Sequence, residues 1–438
     1  MNDRKTDTGL REHGQSWKPI ALVGINFVGV LIGYASTILI ARSLSVDAFQ
    51  EYIGSIATLT FLATISEAGF GKYALKVIPQ YQVEQQDGKV RDYVSFALLG
   101  CLALSISIGL VAIAAEIWFR SGRSETVVIA ALLLIPFVSL AGVSVDLVLA
   151  LQRPIWGTFL SRCVIPFSSL LAIVLVVVYG RMSVMPAIAC FGVGGIVASV
   201  LASATCLRIR PSGHGETVRG EIPSWFSKGL SFFAMGWLMA WFFKATFVLL
   251  HHLPHTNNDL ALLAPAFESG CLVLLFSKST DKYYQPLIAG ILASADWQTG
   301  IRLRNQRYKV IGVGVVTFMV AMIVFGQQIL GWYGNAYDDS YHSLLIVSGG
   351  ACVWSLFSLA PTFLMFAGRQ KRVFINTGLH AALITVLTVL LFMEQGKIGA
   401  ATAFSGSITS LAFSNFLLAR MEVRARRSKA YSTQEPLG

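Results

Sequence analysis

The sequence predicts an all-α polytopic membrane protein with about twelve transmembrane helices. The chain of 438 residues is 55% hydrophobic and only 13% charged, whereas soluble domains carry about 25% charged residues. Apolar stretches of about twenty residues, long enough to span a bilayer as helices, follow one another along almost the whole chain. Because backbone polar groups find no water in hydrocarbon, helices are the expected structure of these stretches. Soluble enzymes are thereby excluded.

Short polar joints separate the predicted spans. Residues 1–17 are polar, and the first apolar stretch after them is long enough to act as an uncleaved signal anchor. The predicted spans are 19–41, 52–76, 93–119, 126–150, 155–179, 183–206, 226–250, 259–279, 309–331, 342–366, 373–393 and 398–419.

The basic residues predict the orientation of the chain. It has 34 Lys and Arg residues and a net charge of +11. Most of these residues fall in alternate joints, and placing the N-terminus in the cytoplasm puts those joints inside. By the positive-inside rule, both termini are expected in the cytoplasm, with an even number of spans. The positive charge then serves topology and contact with anionic head groups, and no nucleic-acid partner is expected.

A joint that is rich in proline and glycine predicts the domain organisation. Residues 207–225 are expected to form a cytoplasmic linker between two bundles of six helices, 1–206 and 226–420. A basic cytoplasmic tail, 421–438, is expected to follow them. Such internal duplication is common among transporters, although no residue-level repeat is visible between the two halves.

Ionisable residues within the predicted spans are candidates for function, since a charge that faces lipid costs roughly 3 kcal/mol or more. Lys244 lies in the seventh span and is interpreted as a cavity cation or as a lysine that snorkels to the interface. Arg162 is interpreted as functional or as an interfacial arginine. Glu67 and Lys72 flank a glycine-rich segment of the second span, and Glu67 is expected to bind a proton or to pair with a neighbouring base. Glu268, near the middle of the eighth span, is the acid that would be most costly in lipid.

Other polar residues are interpreted as structural. Asp146 is expected near the inner interface. Lys278, Asp281 and Lys282 are expected to form a solvated inner end of a helix, and the apolar and basic residues of 284–307 indicate a segment along the inner head groups.

No metal site or bound cofactor is expected. His251, His252 and His255 occur within five residues, but the intervening proline and the lack of a fourth ligand favour a solvated loop over a metal site. No P-loop occurs that would allow direct ATP use. The outer joints are too short for a polymerase domain.

Several short segments together resemble one family of membrane proteins. They are 41–44 with 47–52, 66–71, Arg162 with Pro166, 285–289, 331–337, 367–370 and 396–401. In order and spacing they resemble the polysaccharide flippases of the MOP superfamily, the Wzx-type exporters of lipid-linked oligosaccharides. The chain departs from the family pattern at three places: Gln50 replaces a usual glycine, Ser45-Val46 replaces a common Gly-Pro, and Glu268 stands where a neutral or basic residue is expected.

The resemblance implies a MOP/MATE-like fold in which two six-helix bundles surround a central cavity that opens alternately to either side. The implied activity is not enzymatic. It is the outward flipping of an undecaprenyl-pyrophosphate-linked oligosaccharide across the bacterial inner membrane, for O-antigen, exopolysaccharide or capsule. Lys72, Arg162 and Lys244 would bind the pyrophosphate, and Glu67 or Glu268 would couple transport to H⁺ or Na⁺. The implied partners are this lipid-linked substrate, membrane lipids and a polysaccharide polymerase or export machinery.

Three alternatives belong to other functional classes or to related families. An ion-coupled multidrug or small-molecule antiporter would need acids rather than bases in its cavity, because its substrates are mostly cations. A lipid II flippase of the same superfamily would usually have two more spans. A membrane polymerase of glycans is disfavoured by the short outer joints.

Overall fold

The computed structural model describes residues 17–119, 125–180, 182–211, 219–253, 258–294 and 297–432. Within these ranges the chain is helical and has no β-strand. The α-helices are α1 (Trp17–Ser43), α2 (Val46–Ser66), α3 (Phe70–Val83), α4 (Asp87–Phe119), α5 (Glu125–Leu132), α6 (Ile135–Ala150), α7 (Pro154–Phe159), α8 (Ile165–Tyr179), α9 (Val184–Ile209), α10 (Ile222–His252), α11 (Asp259–Gly270), α12 (Val273–Ser294), α13 (Trp297–Gly331), α14 (Tyr341–Phe357), α15 (Leu359–Phe366) and α16 (Gln370–Ser432).

The helices of the described ranges confirm the predicted fold class. Ten of the candidate spans are long and apolar enough to cross a membrane, and a pair bent by 41°, Asp259–Gly270 with Val273–Asp281, is an eleventh. A straight helix of 63 residues, the length of α16, would reach roughly 95 Å, about three bilayer cores. Gly396 interrupts α16 with φ 56° and ψ −135°, so that α16 provides two spans. The protein is a multi-pass membrane protein with about twelve spans, and the cytoplasmic placement of its termini stays a prediction.

Several spans that the sequence predicts as continuous are broken in the structure. The predicted span 52–76 is divided between α2 and α3, 126–150 between α5 and α6, and 342–366 between α14 and α15. The predicted span 155–179 contains a π-helical turn, Leu160–Val164. A proline stands in the first turn of both α6 and α8, where its missing N–H is tolerated. Hydropathy reports the length of an apolar stretch but not such local changes of the backbone.

The chain forms two compact units. Unit 1 comprises Met1–Ile40 and Leu62–Ala234, and unit 2 comprises Ala41–Phe61 and Met235–Gly438. Helices α2 and α10 each contribute to both units. The predicted linker, 207–225, includes residues 212–218, which lie outside the described ranges. The predicted domain boundaries therefore stay a prediction.

Large aromatic side chains fill the core of unit 1. Phe70, Tyr93 and Trp225 are almost completely buried among α3, α4, α6 and the start of α10. The Tyr93 ring stands edge-on to Trp225 with 5.3 Å between ring centroids, an arrangement that aromatic pairs prefer. The Tyr93 hydroxyl donates a hydrogen bond of 2.8 Å to the carbonyl of Phe70. This core holds the first turn of α3 against α4.

A chain of polar contacts fixes the start of α10 in unit 1. The Trp225 indole N–H donates to the Tyr81 hydroxyl at 3.0 Å, and that hydroxyl donates to Glu221 Oε2 at 2.8 Å. Lys89 Nζ lies 2.6 Å from Glu221 Oε1. These side chains come from α3, α4, the residue before α10 and the first turn of α10, and they satisfy one another's hydrogen-bonding groups. We call them the Glu221 clasp.

In unit 2, Arg42 joins two of the segments that carry the family resemblance. Its Nε donates to the carbonyl of Trp332 at 2.7 Å and its Nη2 to the carbonyl of Gly331 at 3.4 Å. These carbonyls stand at the C-terminal end of α13, where a cation is favoured by the helix dipole. The Phe49 ring meets the Tyr337 ring edge-on at 6.0 Å. Residues 41–52 and 331–337 therefore form one structural element.

The outer faces of several helices are apolar. On α4, Leu99, Leu110 and Val111 are about two-thirds exposed, as are Val313 and Val316 on α13. A soluble protein rarely exposes contiguous apolar patches of this extent. In a membrane protein, the same faces contact the acyl chains of lipids.

The Glu221 clasp predicts a pH-dependent stability. The hydrogen bond with Lys89 is the largest influence that lowers the pKa of Glu221 below its ordinary value. A lowered pKa in the folded state means that the stabilisation is present above the pKa of the unfolded chain, roughly 4.3, and is lost as the pH falls through the folded value. Glu221→Gln should destabilise the protein by about 1 kcal/mol at pH 7, and thermal unfolding should show this difference vanish in acid.

The matched control is Glu394→Gln, which changes an exposed acid without an ion pair or hydrogen bond to a described residue. Its melting temperature should follow that of the wild type at every pH. A Glu221→Gln deficit that persists unchanged at pH 3 would contradict the ionic role of the clasp.

Candidate functional site

The five candidate residues divide between the two units, which are described separately. Glu67, Lys72 and Arg162 belong to unit 1, and Lys244 and Glu268 belong to unit 2. Each unit brings an acid and a base together within its apolar helices. Arg162 is the exception.

The break between α2 and α3 positions Glu67 and Lys72 in unit 1. Ala68 and Gly69 both adopt left-handed backbone conformations, with φ of 46° and 71°. A Cβ atom at Gly69 would lie only 2.6 Å from the backbone nitrogen of Phe233 on α10, so a side chain at residue 69 is excluded both by the backbone angle and by the packing. The break therefore ends α2 and sends α3 in a new direction, with Glu67 and Lys72 on either side of it.

Lys72 forms an ion pair with Asp146 of α6. Its Nζ lies 2.7 Å from Oδ2 and 3.0 Å from Oδ1. The Lys72 side chain is 55% exposed, whereas that of Asp146 is 9% exposed. A Cβ atom at Gly71 would lie 2.7 Å from Asp146 Oδ2. The glycine therefore provides the space that the carboxylate occupies.

Glu67 is the third ionisable member of this group. It interacts electrostatically with both Asp146 and Lys72. Its carboxylate lies beside Gly142 of α6, where a Cβ atom would be 3.0 Å from the carboxyl carbon and closer still to Oε1. We call Glu67, Lys72 and Asp146 the acid pair cluster. Two carboxylates that share one ammonium group leave a negative site, which a proton or a monovalent cation can neutralise.

Arg162 lies in the π-helical turn between α7 and α8, and its side chain is exposed. It forms no ion pair or hydrogen bond with any residue that the structure describes. The backbone at Arg162 packs tightly against Gly29 of α1, where a Cβ atom would overlap the Arg162 carbonyl. Within a span, π-helical turns are frequent at functional sites. Of the three candidate cations, Arg162 is the one without a counter-charge among the described residues.

Lys244 and Glu268 lie on consecutive helices of unit 2, α10 and α11, and interact electrostatically. The Tyr333 hydroxyl donates a hydrogen bond of 3.4 Å to Glu268 Oε2. Aromatic residues adjoin this pair in the sequence: Phe267, which precedes Glu268, packs against Phe247 at 4.9 Å and against Phe404 at 4.5 Å between ring centroids. A buried charge in such surroundings needs a partner. Glu268, the acid that would be most costly in lipid, thus interacts with a base, Lys244.

The structure corrects two sequence-based interpretations. Asp281 was expected at a solvated helix end with Lys278 and Lys282, but it is buried and lies 2.7 Å from Arg307 Nη2. Lys278 is exposed and stands over the Phe243 ring at 5.9 Å. The side chain of Lys282 lies outside the described residues. The ion pair forms because α12 and α13 return antiparallel, a tertiary contact that local sequence does not reveal.

The histidine segment is the second correction. His251 and His252 were expected in a solvated loop, but they continue α10, and His251 is buried against Gly54 of α2. His252 Nε2 lies 3.5 Å from the Thr58 hydroxyl. His255 lies outside the described residues. Among the residues that are described, no cluster of three His, Cys, Asp or Glu side chains could hold a metal ion.

Sequence reasoning assigned Asp146 a structural role and did not identify Gly71 or Gly142 as part of a site. One signal was available for α6, because Gly142 and Asp146 are separated by four residues and therefore share a helix face. No comparable signal joins α6 to Glu67 or Lys72.

The space around the acid pair cluster predicts the effect of adding a methyl group. Gly142→Ala should displace the Glu67 carboxylate, destabilise the protein by about 1–3 kcal/mol and reduce transport. Thermal unfolding of the purified protein measures the first effect and complementation of a deletion strain the second. Gly33→Ala is the control, because nothing lies within 4 Å of a Cβ atom there. Equal stability of the two variants would contradict the tight placement of Glu67.

The Lys72–Asp146 pair predicts energetic coupling. Because the aspartate is mostly buried and the lysine is half exposed, a double-mutant cycle with Lys72→Met and Asp146→Asn should give a coupling free energy of about 1–2 kcal/mol. The same cycle with Lys76→Met, one turn further along α3 and exposed, should give none. Additive effects of Lys72→Met and Asp146→Asn would show that the ion pair does not stabilise the fold.

Comparison with known proteins supports the fold. No family model and no curated protein sequence matches the chain. Among solved structures, the chain is similar to an inward-facing multidrug resistance MATE family transporter of the MOP superfamily, with a TM-score of 0.69, 12% identity and coverage of 94% of this chain and 99% of that one. It is also similar to the lipid II flippase MurJ in an inward closed conformation, with a TM-score of 0.66, 15% identity and coverage of 96% and 94%.

A third similar structure is a MOP superfamily transporter from Pyrococcus furiosus, with a TM-score of 0.62 and 14% identity, covering 93% of this chain and 96% of that one. At such identities the likeness concerns the fold and not the substrate. The structural neighbours are transporters and a flippase, and each is matched over almost its full length. The chain therefore has the fold of the MOP superfamily transporters, MATE-like in its arrangement of helices.

Proposed function

We propose that this protein is a flippase, and not an enzyme, that moves an undecaprenyl-pyrophosphate-linked oligosaccharide outward across the bacterial cytoplasmic membrane. The repeat unit would then enter the synthesis of a surface polysaccharide, with a polymerase or export machinery as the next partner. Transfer of a sugar through hydrocarbon has a high free-energy cost, since each hydroxyl loses its hydrogen bonds to water. A helical membrane protein with polar groups inside each unit lowers that cost.

The observation that carries the proposal is the free cationic side chain of Arg162. A guanidinium group matches phosphate oxygens in a bidentate geometry, and Arg162 is exposed and has no acid partner among the described residues. The π-helical turn that presents it lies inside a candidate span, Pro154–Tyr179. An anionic substrate would supply the counter-charge that the protein does not.

Lys244 would act as a second, conditional cation. In the ionised state, Glu268 attracts the ammonium group of Lys244. If Glu268 takes up a proton, this attraction ends and Lys244 becomes available to a phosphate oxygen. Proton binding and substrate binding would thereby favour each other, which is the reciprocity that coupling requires.

The acid pair cluster of unit 1 would bind the coupling ion. Lys72 is engaged with Asp146, so Glu67 is the carboxylate left to receive H⁺ or Na⁺. The role proposed here for Lys72 differs from the one that the family resemblance implies. Lys72 holds Asp146 in place and does not contact the pyrophosphate.

An ion-coupled multidrug antiporter is the second candidate function. The observation that favours it is the excess of carboxylate in the acid pair cluster, since a negative site attracts organic cations. The two candidate functions differ in the sign of the charge on the substrate, which is anionic for the flippase and cationic for the antiporter. The effect of removing the Arg162 side chain distinguishes them.

The test is the pool of lipid-linked saccharides in a deletion strain. We expect a complete repeat unit to accumulate on the inner leaflet and the wild-type gene to clear it. Arg162→Ala should reduce clearance about tenfold or more, because a charge-assisted hydrogen bond contributes roughly 1.5–3 kcal/mol. Glu268→Gln should clear the pool with a weaker dependence on pH.

Lys371→Ala serves as the control, since Lys371 is exposed and has no ion pair or hydrogen bond to a described residue. A normal pool in the deletion strain, together with new sensitivity to cationic dyes, would reject the flippase and favour the antiporter.

A further inference from the structure

A cavity of about 390 Å³ opens in unit 2 where four helices meet. Its walls come from the C-terminal half of α12, the first turns of α13, α15 and the later part of α16. Its volume falls within the range of about 300–1,000 Å³ that ligand sites occupy. The cavity lies away from Lys244 and Glu268, neither of which lines it.

One wall of the cavity is apolar. Leu287 and Ile291 of α12, Phe363 of α15 and Phe416 of α16 belong to it. Contact with an alkyl chain is favourable for such a surface, with a free energy of about 25 cal/mol for each Å² of apolar area removed from water. An inorganic anion would leave this wall without a partner.

The lining of the cavity also carries basic residues. Arg304 of α13 and Arg420 and Arg424 of α16 line it, and all three are exposed. Arg420 and Arg424 stand four residues apart, so their like charges share one helix face and repel each other. Neither forms an ion pair or hydrogen bond with a residue that the structure describes, and Arg304 reaches only the side-chain oxygen of Asn305 at 3.3 Å.

The buried acids of this region are already engaged by other arginines. Glu422 accepts hydrogen bonds from Arg369 at 2.8 Å and from Arg426 at 2.9 Å. Asp281 accepts from Arg307 at 2.7 Å and from the Ser358 hydroxyl at 2.6 Å. Neither of these acids therefore neutralises the three exposed arginines of the cavity, which are left to attract an anion from outside the chain.

Arg307 adds a buried donor to the cavity wall. Its residue is 3% exposed, and its two Nη atoms bond to Asp281, Ser358 and backbone carbonyls. Its Nε, in contrast, is buried and has no hydrogen-bond partner among the described residues. Because it is buried, a molecule in the cavity does not reach this atom, and the ligand assignment rests on the exposed arginines.

We propose that this cavity binds one anionic phospholipid, with the phosphate between the exposed arginines and part of one acyl chain along the apolar wall. Basic pockets between the ends of transmembrane helices bind lipid phosphates in this manner. The positive-inside prediction places this end of unit 2 at the cytoplasmic leaflet, where anionic lipids are concentrated. The bound lipid would be part of the assembled protein and not its transported cargo.

The test measures lipid binding to the full chain in detergent. Delipidated protein is titrated with dioleoyl-phosphatidylglycerol, with dioleoyl-phosphatidylcholine and with inorganic phosphate, and native mass spectrometry counts the bound molecules. We expect one phosphatidylglycerol to bind at least tenfold more tightly than phosphatidylcholine. The double variant Arg420→Gln/Arg424→Gln should lose this preference and keep its melting temperature in phosphatidylcholine, because neither arginine has a partner in the described fold.

Arg302→Gln is the matched control, since Arg302 is exposed on the same stretch of α13 but does not line the cavity. Equal binding of the two phospholipids, or an unchanged preference in the double variant, would overturn the proposal. So would equal binding of inorganic phosphate, which would mean that no acyl chain is needed. If undecaprenyl pyrophosphate displaces phosphatidylglycerol at equimolar concentration, the cavity holds the cargo and the proposal fails. Because the readout is binding, its outcome is independent of whether the deletion strain accumulates a saccharide.

Discussion

The rest of the structure depends on one constraint, the high free energy of a charge without a partner inside the membrane. Asp146 is paired with Lys72, Asp281 with Arg307 and Glu422 with two arginines, and Glu268 interacts with Lys244 and Tyr333. Lys72, Arg307 and Lys244 come from a different helix than the acid they interact with, Tyr333 and Arg369 lie in joints between helices, and Arg426 lies one turn from Glu422 on α16. These pairs select which helix faces meet, since apolar packing alone distinguishes poorly between one lipid-like surface and another. Arg162, which lacks such a partner among the described residues, is conspicuous for that reason.

The sequence predicts the number and positions of the spans well, because an apolar stretch of bilayer length has few other solutions. It predicts the breaks poorly, since hydropathy is the same on both sides of Ala68 or of the turn at Arg162. It predicts the pairings least. Lys72 and Asp146 are separated by 74 residues along the chain, and no local pattern connects them. The sequence therefore indicates which ionisable residues are costly in lipid, whereas their partners are visible only in the fold.

The segments that carry the family resemblance are largely the places where helices end or bend. All four glycines with positive φ among the described residues, Gly69, Gly334, Gly368 and Gly396, fall inside those segments. Such positions tolerate few other residues, whereas most lipid-facing positions accept any apolar side chain. Short motifs therefore preserve the backbone plan of the fold in a chain that shares only 12–15% of its residues with similar solved structures.

The charge of the acid pair cluster lies within the transmembrane electric field. With all three groups ionised, the cluster holds one net negative charge within a span, in the electric field of an energised membrane. An elementary charge that crosses the full field gains roughly 2.3 kcal/mol for each 100 mV. In the proposed coupling, a proton or sodium ion that enters the cluster would travel through part of that field, so its occupancy would depend on voltage as well as on concentration. Under the proposed function, the two glycines that make room for the carboxylates would also make transport depend on the membrane potential.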